Sequence, residues 1–501
     1  MLARAGARLV AVAILLAGAR AAVAAPADAA GTGASDPGEL AGAAGPSAAD
    51  AVAFTDPRFG PRYVIEAVQV TGNRKTKTSL IVGELAVLGL GPGVSLDASD
   101  SRVEAARYRL LSLGYFLDVQ LSVSRGSKRG SVVLVVDVEE RGTLVINELF
   151  PATSEATLFW GGADVSEMNF LGRGINLGAG FVVSTKPIVP EAHAGLGLRL
   201  HVGIPPLGGP NGVGLSVTGL YNDGSEFYRT SGVASDPDPG RFVATRVRRI
   251  GGVLTAGKMF PHNLHATASV REEAVSATLP AQDMQNLPDG TQTKIDFMVQ
   301  GGESRVGTLG ASLDYDTRSD PVLPRSGMRV ALSVEAGTSL LGSSYSYVKT
   351  VFDGSFYVKM PHGHALGFHL FGGSIEGNAP YFDRFFIGDL DLLLPRRALG
   401  INFSTQPAAS FLGTSIAAQR YDNYAGRLLI EYAVPIWRHH GWVYGGDAFL
   451  AVGVLGMASD EDMLSSPPIC LTGDLGLRLD TYVGVFTVSI ANVLSRSRSS
   501  F

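Results

Sequence analysis

Between residues 143 and 494 the chain repeats one pattern, short segments in which apolar side chains take every second position, separated by turns rich in Gly, Asp and Pro. In 328–335, Met328, Val330, Leu332 and Val334 share one face, while Arg329, Ala331, Ser333 and Glu335 share the other. In 427–437, Leu428, Ile430, Tyr432, Val434 and Ile436 oppose Arg427, Leu429, Glu431, Ala433 and Pro435. In 355–359, Phe356 and Val358 oppose Ser355, Tyr357 and Lys359. A period of two belongs to the β-strand, and charges confined to one face suit a membrane barrel with lipid outside and a polar lumen. A soluble sandwich also alternates, but it rarely needs so many long paired segments.

The candidate strands are 143–153, 156–170, 174–185, 192–204, 212–222, 242–257, 263–278, 304–316, 327–337, 345–359, 364–375, 425–437, 442–456, 471–480 and 482–494. That is fifteen, and single-chain bacterial barrels have an even number, so sixteen strands are expected within a range of 14–16. Either one segment has escaped the pattern or the last strand is cut short near 495–501. The stretches 223–241, 281–303, 381–424 and 457–470 read as the long loops on the outer side.

Composition supports this reading. Charged residues are only 17% of the 501 and glycines number 63, and beyond the N-terminus no apolar run approaches the length of a membrane helix. The net charge of −5 gives no basis for nucleic-acid binding, and the single Cys470 excludes an internal disulfide framework or a cysteine metal site. Residues 1–24 read as a secretory signal, with Arg4 and Arg8 before the short apolar core 10–17 and the small-residue run Ala22-Val23-Ala24. Residues 25–61 are rich in Ala, Gly, Pro and Asp and read as a flexible linker.

Residues 62–142 carry a different rhythm: a strand over 64–70, a turn at Thr71-Gly72-Asn73, a short helix over 78–88 and a second over 97–113 that Asp100 can cap. Gly114-Tyr115-Phe116 ends the second helix, and strands through Val119 and over 132–138 follow. This α+β order, β-α-α-β-β, resembles a POTRA domain, the periplasmic module of the BamA/TamA family of outer-membrane assembly proteins. The resemblance rests on Val70-Thr71-Gly72-Asn73, on 110–116 (LLSLGYF) with Val119 after it, and on the closing 136–141 (VDVEER). One copy is visible.

Three barrel stretches resemble the surface-antigen barrel of the same family. Residues 167–174 (EMNFLGRG) are similar to its early turn and single out Asn169, Phe170, Gly172 and Gly174. Residues 313–327 (LDYDTRSDPVLPRSG) are similar to its Asp-x-Arg hairpin and single out Asp316, Arg318, Asp320, Pro324 and Gly327. With Asp314 they form either a charged girdle around a turn or a solvated hairpin. The third stretch lies in the loop at 381–424, where Arg397-Ala398-Leu399 stands at the family's Arg-Gly-aromatic motif, with Arg396 before it and Gly400 after. The resemblance implies a loop folded into the lumen whose arginine pairs with a wall carboxylate. Glu431 is the expected partner. The family's second acidic position falls on Ala451, leaving Asp447 as a substitute, and the alternative is that Arg396 and Arg397 lie on an exposed loop.

Enzymatic patterns are weak. Gly172-Arg173-Gly174 does not open a helix, His262 and His265 lack a zinc-helix spacing, and no Gly-x-Ser-x-Gly elbow is present. No cofactor or metal is expected. The resemblance implies an outer-membrane protein with its POTRA domain in the periplasm. Such a protein assembles, inserts or translocates other proteins by strand pairing on the POTRA domain and at a lateral barrel seam. Its partners would be unfolded outer-membrane or secreted proteins and the lipid bilayer, with periplasmic chaperones or accessory lipoproteins as further candidates. A dedicated secretion pore for one partner and a passive structural or diffusion barrel are the competing readings.

Overall fold

The computed structural model describes residues 63–97, 100–149, 152–207, 212–231, 238–260, 263–390, 397–405, 421–438, 441–459 and 469–496. The expected leader and linker, and Arg396, lie outside the described residues.

The N-terminal unit comprises β1 (Tyr63–Thr71), α1 (Thr78–Val87), β2 (Ser95–Leu96), α2 (Ser101–Ser112), β3 (Phe116–Arg125) and β4 (Ser131–Glu140). Its sheet order is β2-β1-β4-β3, with β1 and β4 parallel. The order expected from the sequence holds, with one addition. The pair Ser95-Leu96 is too short to show a period, yet it ladders against Tyr63 and Val64. Asp100 caps α2 by accepting from the Arg102 amide at 3.0 Å. Leu110 and Leu111 of α2, with Ile81 and Leu85 of α1, close over Ile65, Val119 and Val136 of the sheet. Each such buried side chain is worth on the order of 2 kcal/mol.

After Gly142 the chain enters one antiparallel sheet, curled nearly to a barrel, with fifteen strands among the described residues where sixteen were expected. Its strands are β5 (Leu144–Leu149), β6 (Trp160–Phe170), β7 (Ile175–Ser184), β8 (Leu196–Leu207), β9 (Val213–Arg229), β10 (Phe242–Phe260), β11 (Leu264–Thr278), β14 (Gly302–Asp316), β15 (Gly327–Gly337), β16 (Ser346–Lys359), β17 (Ala365–Asn378), β20 (Tyr424–Arg438), β21 (Val443–Ala458), β22 (Ile469–Thr481) and β23 (Gly484–Arg496). The short pairs β12 (Met284–Asn286) with β13 (Gln292–Lys294), and β18 (Phe385–Phe386) with β19 (Tyr421–Asp422), stand outside it. Each of the fifteen segments of alternating sequence is one strand of this sheet. The last runs to Arg496, inside the 495–501 stretch where the sequence pattern ends. The loop expected over 223–241 is shorter, because β9 continues to Arg229.

The faces divide as the alternation requires. Met328, Val330, Leu332 and Val334 point outward, as do Ile430, Tyr432 and Ile436, whereas Glu431 and Ala433 are buried. On β10 the exposed apolar residues run from Phe260 at the end near the N-terminal unit to Ile250 toward the far end. Ten residues at a strand rise of about 3.3 Å, tilted by about 40°, span about 25 Å, the apolar height of an outer-membrane barrel.

The N-terminal unit is fastened under the barrel's near end. The turn after β1 donates backbone amides of Arg74, Lys75 and Thr76 to the Glu140 carboxylate at 2.6–3.2 Å. The same turn reaches both flanks of the sheet's free edges. Thr76 accepts from Asn169 at the end of β6 at 2.9 Å, and Lys75 donates to Tyr482 between β22 and β23 at 3.2 Å. Arg141 adds an ion pair to Asp480 at 2.6 Å. Gly172 is obligatory at this joint: φ is +68° and a Cβ there would stand 1.9 Å from the Lys75 carbonyl.

Burial tends to raise the Glu140 carboxyl, but hydrogen bonds from Thr76, Lys75 and Arg74 outweigh it and hold the group below the usual glutamate value. A depressed folded pKa stabilises above the unfolded value and fades as pH falls through the folded one, so acid should loosen this turn. Glu140→Gln should remove about 1 kcal/mol after solvent screening and make Arg74 and Lys75 roughly fivefold more susceptible to trypsin. Unchanged cleavage would show that the carboxylate does not hold the turn.

Candidate functional site in the barrel lumen

The connection between β17 and β20 enters the lumen in two limbs. Phe385 and Phe386 ladder with Asp422 and Tyr421, and the short helix α3 (Ile387–Leu390) follows. Beyond it the described chain resumes at Arg397 and makes a tight hairpin in which Ala398 and Ile401 exchange backbone hydrogen bonds at 3.0 Å. Its central residues, Leu399 and Gly400, have φ of +48° and +84°, the two positive values of a type I′ turn. Glycine suits that conformation and leucine does not. The tip is held against the β6–β9 wall. Asn222 donates to the Leu399 carbonyl at 2.7 Å, Asn402 donates to Glu226 at 3.1 Å, and Phe403 stacks on Trp160 at 4.9 Å.

The loop is therefore inward-folded, but its electrostatic anchor is not the expected one. Arg397 does not reach Glu431. Its Nε donates to Asp389 at 3.0 Å, its Nη1 to the Phe382 carbonyl at 3.4 Å, and its guanidinium lies over the Phe386 and Tyr421 rings at 5.3 and 5.7 Å. All four partners belong to the loop itself, so Arg397 braces one limb to the other. Glu431 is taken by Arg478 of β22, at 3.1 and 2.8 Å, whose guanidinium crosses over Phe449 at 4.9 Å. Asp447, the substitute partner, pairs with Arg325. Both carboxylates are already matched by wall or turn arginines nearer to them, and an arginine deep in the loop finds its own carboxylate at lower cost than one across the lumen.

The loop-to-wall ion pair exists with its polarity reversed. Asp383, just before the β18–β19 ladder, is buried and accepts from Arg271 of β11 at 2.9 and 3.2 Å and from the Tyr347 hydroxyl at 2.8 Å. Arg271 also donates to Glu273 at 2.7 Å and Glu335 at 3.1 Å, so each of its three guanidinium nitrogens has a carboxylate partner. Lys349 donates to the Asp383 carbonyl at 2.8 Å, and Arg249 stacks on Phe382 at 3.9 Å while pairing with Glu273 at 2.8 Å. The only sequence signal for Asp383 is a carboxylate beside aromatic residues at the loop's entry.

The other singled-out residues have plain positions. Asn169 accepts from the Gly174 amide at 2.8 Å, which closes the β6–β7 turn while its amide group reaches Thr76. Phe170 is exposed, and Gly174 faces Leu80 and Tyr115 of the N-terminal unit. Gly72 follows β1 against the Val138 carbonyl. Gly114 carries the chain out of α2, its amide donating to Leu111, and Tyr115 and Phe116 enter the core. Burial pushes the Tyr115 hydroxyl up to about 12. In the hairpin, Asp316 receives Arg318 at 3.0 and 2.7 Å, and Asp320 accepts the Val322 and Leu323 amides at 2.7 and 3.1 Å. Pro324 is buried, and Gly327 begins β15. The hairpin is a self-capped turn, and it is not simply solvated, because Leu323 is buried too.

A barrel with an apolar outer band, a small α+β unit docked at one end and a loop folded into its lumen defines an outer-membrane barrel with a periplasmic POTRA domain. Residues 169–454 match the family described as the Omp85 superfamily domain, and residues 63–141 match the POTRA family described as a surface antigen variable number repeat. The chain belongs to the Omp85 superfamily and lies in the Gram-negative outer membrane with its POTRA domain in the periplasm. No curated protein matches its sequence. Among solved structures it is similar to CdiB from Escherichia coli, at 12% identity and TM-score 0.57, covering 87% of this chain and 73% of that one. CdiB from Acinetobacter baumannii gives 11% identity and TM-score 0.50, covering 88% and 72%. BamA from Haemophilus ducreyi lacking POTRA domains 1-3 gives 15% identity and TM-score 0.46, covering 87% and 82%.

Breaking one partner of a buried pair costs about 3–5 kcal/mol. Asp383→Asn should therefore make the loop cleavable by protease added outside intact cells. Glu431→Gln should leave the loop protected, since its arginine is Arg478. The reverse pattern would restore Glu431 as the loop's anchor.

Proposed function

We propose that this protein inserts or assembles other outer-membrane proteins through the lateral seam between β5 and β23, with the POTRA domain presenting clients beneath it. One observation carries this reading. The two edges of the sheet, six-residue β5 and thirteen-residue β23, form no ladder among the described residues. Their backbones meet at the periplasmic end, where the Ile146 amide donates to the Val483 carbonyl at 2.7 Å. Above that point β23 presents Val488 and Ile490, 75% and 66% exposed, along an edge whose row of backbone groups forms no ladder with β5 among the described residues. Such a row is costly in lipid and is a template for an incoming strand.

Two further features support the seam as the route. The lumen holds an anchored loop, which weighs against steady diffusion. The POTRA turn 74–76 touches Asn169 on one flank of the seam and Tyr482 on the other, so a client paired to the POTRA edge strand β3 would be delivered at the opening. With no nucleotide in the periplasm, client folding supplies the free energy.

Ile146→Cys with Val483→Cys, in a Cys470→Ser background, should lock the seam when oxidised. Insertion of a labelled barrel client into proteoliposomes should then fall by about tenfold or more and recover on reduction. Undiminished insertion by the oxidised protein would exclude the seam as the route.

A further inference from the structure

The periplasmic turn between β14 and β15 does more than join two strands. It leaves the wall and reaches across three intervening strands, β16, β17 and β20, to the base of β21. Arg325 there forms an ion pair with Asp447, with 12% and 3% of the side chains exposed. Leu323 is buried and lies against Gly445, where an added Cβ would stand 2.9 Å from Leu323 Cδ1. The turn is pre-shaped for this reach. Ser319 accepts the Arg325 and Ser326 amides at 3.0 and 3.2 Å, and Asp320 caps Val322 and Leu323.

We propose that this turn is a periplasmic latch, closed by Arg325 on Asp447, that seals the lumen in series with the inward loop and is the first of the two to open. The order follows from how the two guanidinium groups are satisfied. Arg271, which holds the loop, spends Nε, Nη1 and Nη2 on Glu273, Glu335 and Asp383. Arg325 spends Nη2 on Asp447, while its Nε and Nη1 are buried with no hydrogen-bond partner. Swinging out to the periplasmic mouth would hydrate both orphaned groups, so release of the latch recovers solvation that release of the loop does not. The latch also ties the β14–β15 turn to β21, two strands from the seam edge β23. A movement of β21–β23 away from β5 would pull on this contact before any other cross-lumen pair. None of this depends on what the seam carries.

The test is the conductance of the full-length protein in planar bilayers. Two constrictions in series pass ions only when both are open, so Asp383→Asn with an intact latch should conduct no more than about twice the wild type. Asp383→Asn with Arg325→Ala should give a steady step roughly tenfold larger, and exchanging the pair (Arg325→Asp with Asp447→Arg) in the Asp383→Asn background should close it again. A full step from Asp383→Asn alone would overturn the proposal, as would a closed but heat-modifiable, folded double variant. Should the double variant not fold, Leu323→Cys decides instead. Asp447→Asn should speed its labelling by an impermeant maleimide at the periplasmic face roughly tenfold, and an unchanged rate would overturn the latch.

Discussion

A backbone amide facing lipid has no water to fall back on, and the whole barrel is arranged around that constraint. Within the fifteen-stranded sheet every strand from β6 to β22 has a neighbour on both sides, and ladders such as β9–β10 and β10–β11 run for most of the strand length. Among the described residues the constraint is relaxed between β5 and β23, where the Ile146 amide meets the Val483 carbonyl at the periplasmic rim. Everything distinctive about the structure gathers near this gap or protects the space behind it. The POTRA turn touches both of its flanks, and two inward elements occupy the lumen beside it.

The lumen is a second consequence of the same physics. Its wall carries charges that need partners, and they find them across the barrel as well as along it. Arg271 meets Asp383 of the loop, Arg325 of a periplasmic turn meets Asp447, and Arg478 bridges to Glu431 along the wall. Buried pairs of this kind contribute little net stability, yet breaking one partner is expensive. They therefore act as position-fixing contacts that hold a particular closed arrangement.

Much of the fold was legible in the sequence because a strand's two faces meet two different solvents, and that difference is written at every second residue. The fifteen segments and the α+β unit, with Asp100 as a cap, could be read locally. The two-residue β2 could not, since two residues carry no period. The luminal pairing was only half legible. The Arg397 motif lies in the loop that packs against the lumen wall, but Arg397 and Glu431 each have a nearer partner, and no local pattern reports that. The pairs that matter, Arg271 with Asp383 and Arg325 with Asp447, are 112 and 122 residues apart and join elements on separate strands. Leu399 at φ +48° shows the same limit from the other side, because the hairpin tolerates a residue that its backbone disfavours.

The weak seam is best tested by amide hydrogen exchange of the protein in lipid nanodiscs, comparing β5 and β23 with the fully laddered β10 and β11. Protection tracks local opening, so a seam held at one end should let β5 and β23 exchange at least roughly a hundredfold faster, with Ile146 the slowest amide in β5. Protection of β5 and β23 equal to that of β10 and β11 would mean that the edges are paired in the membrane, and the seam would not be the opening described above.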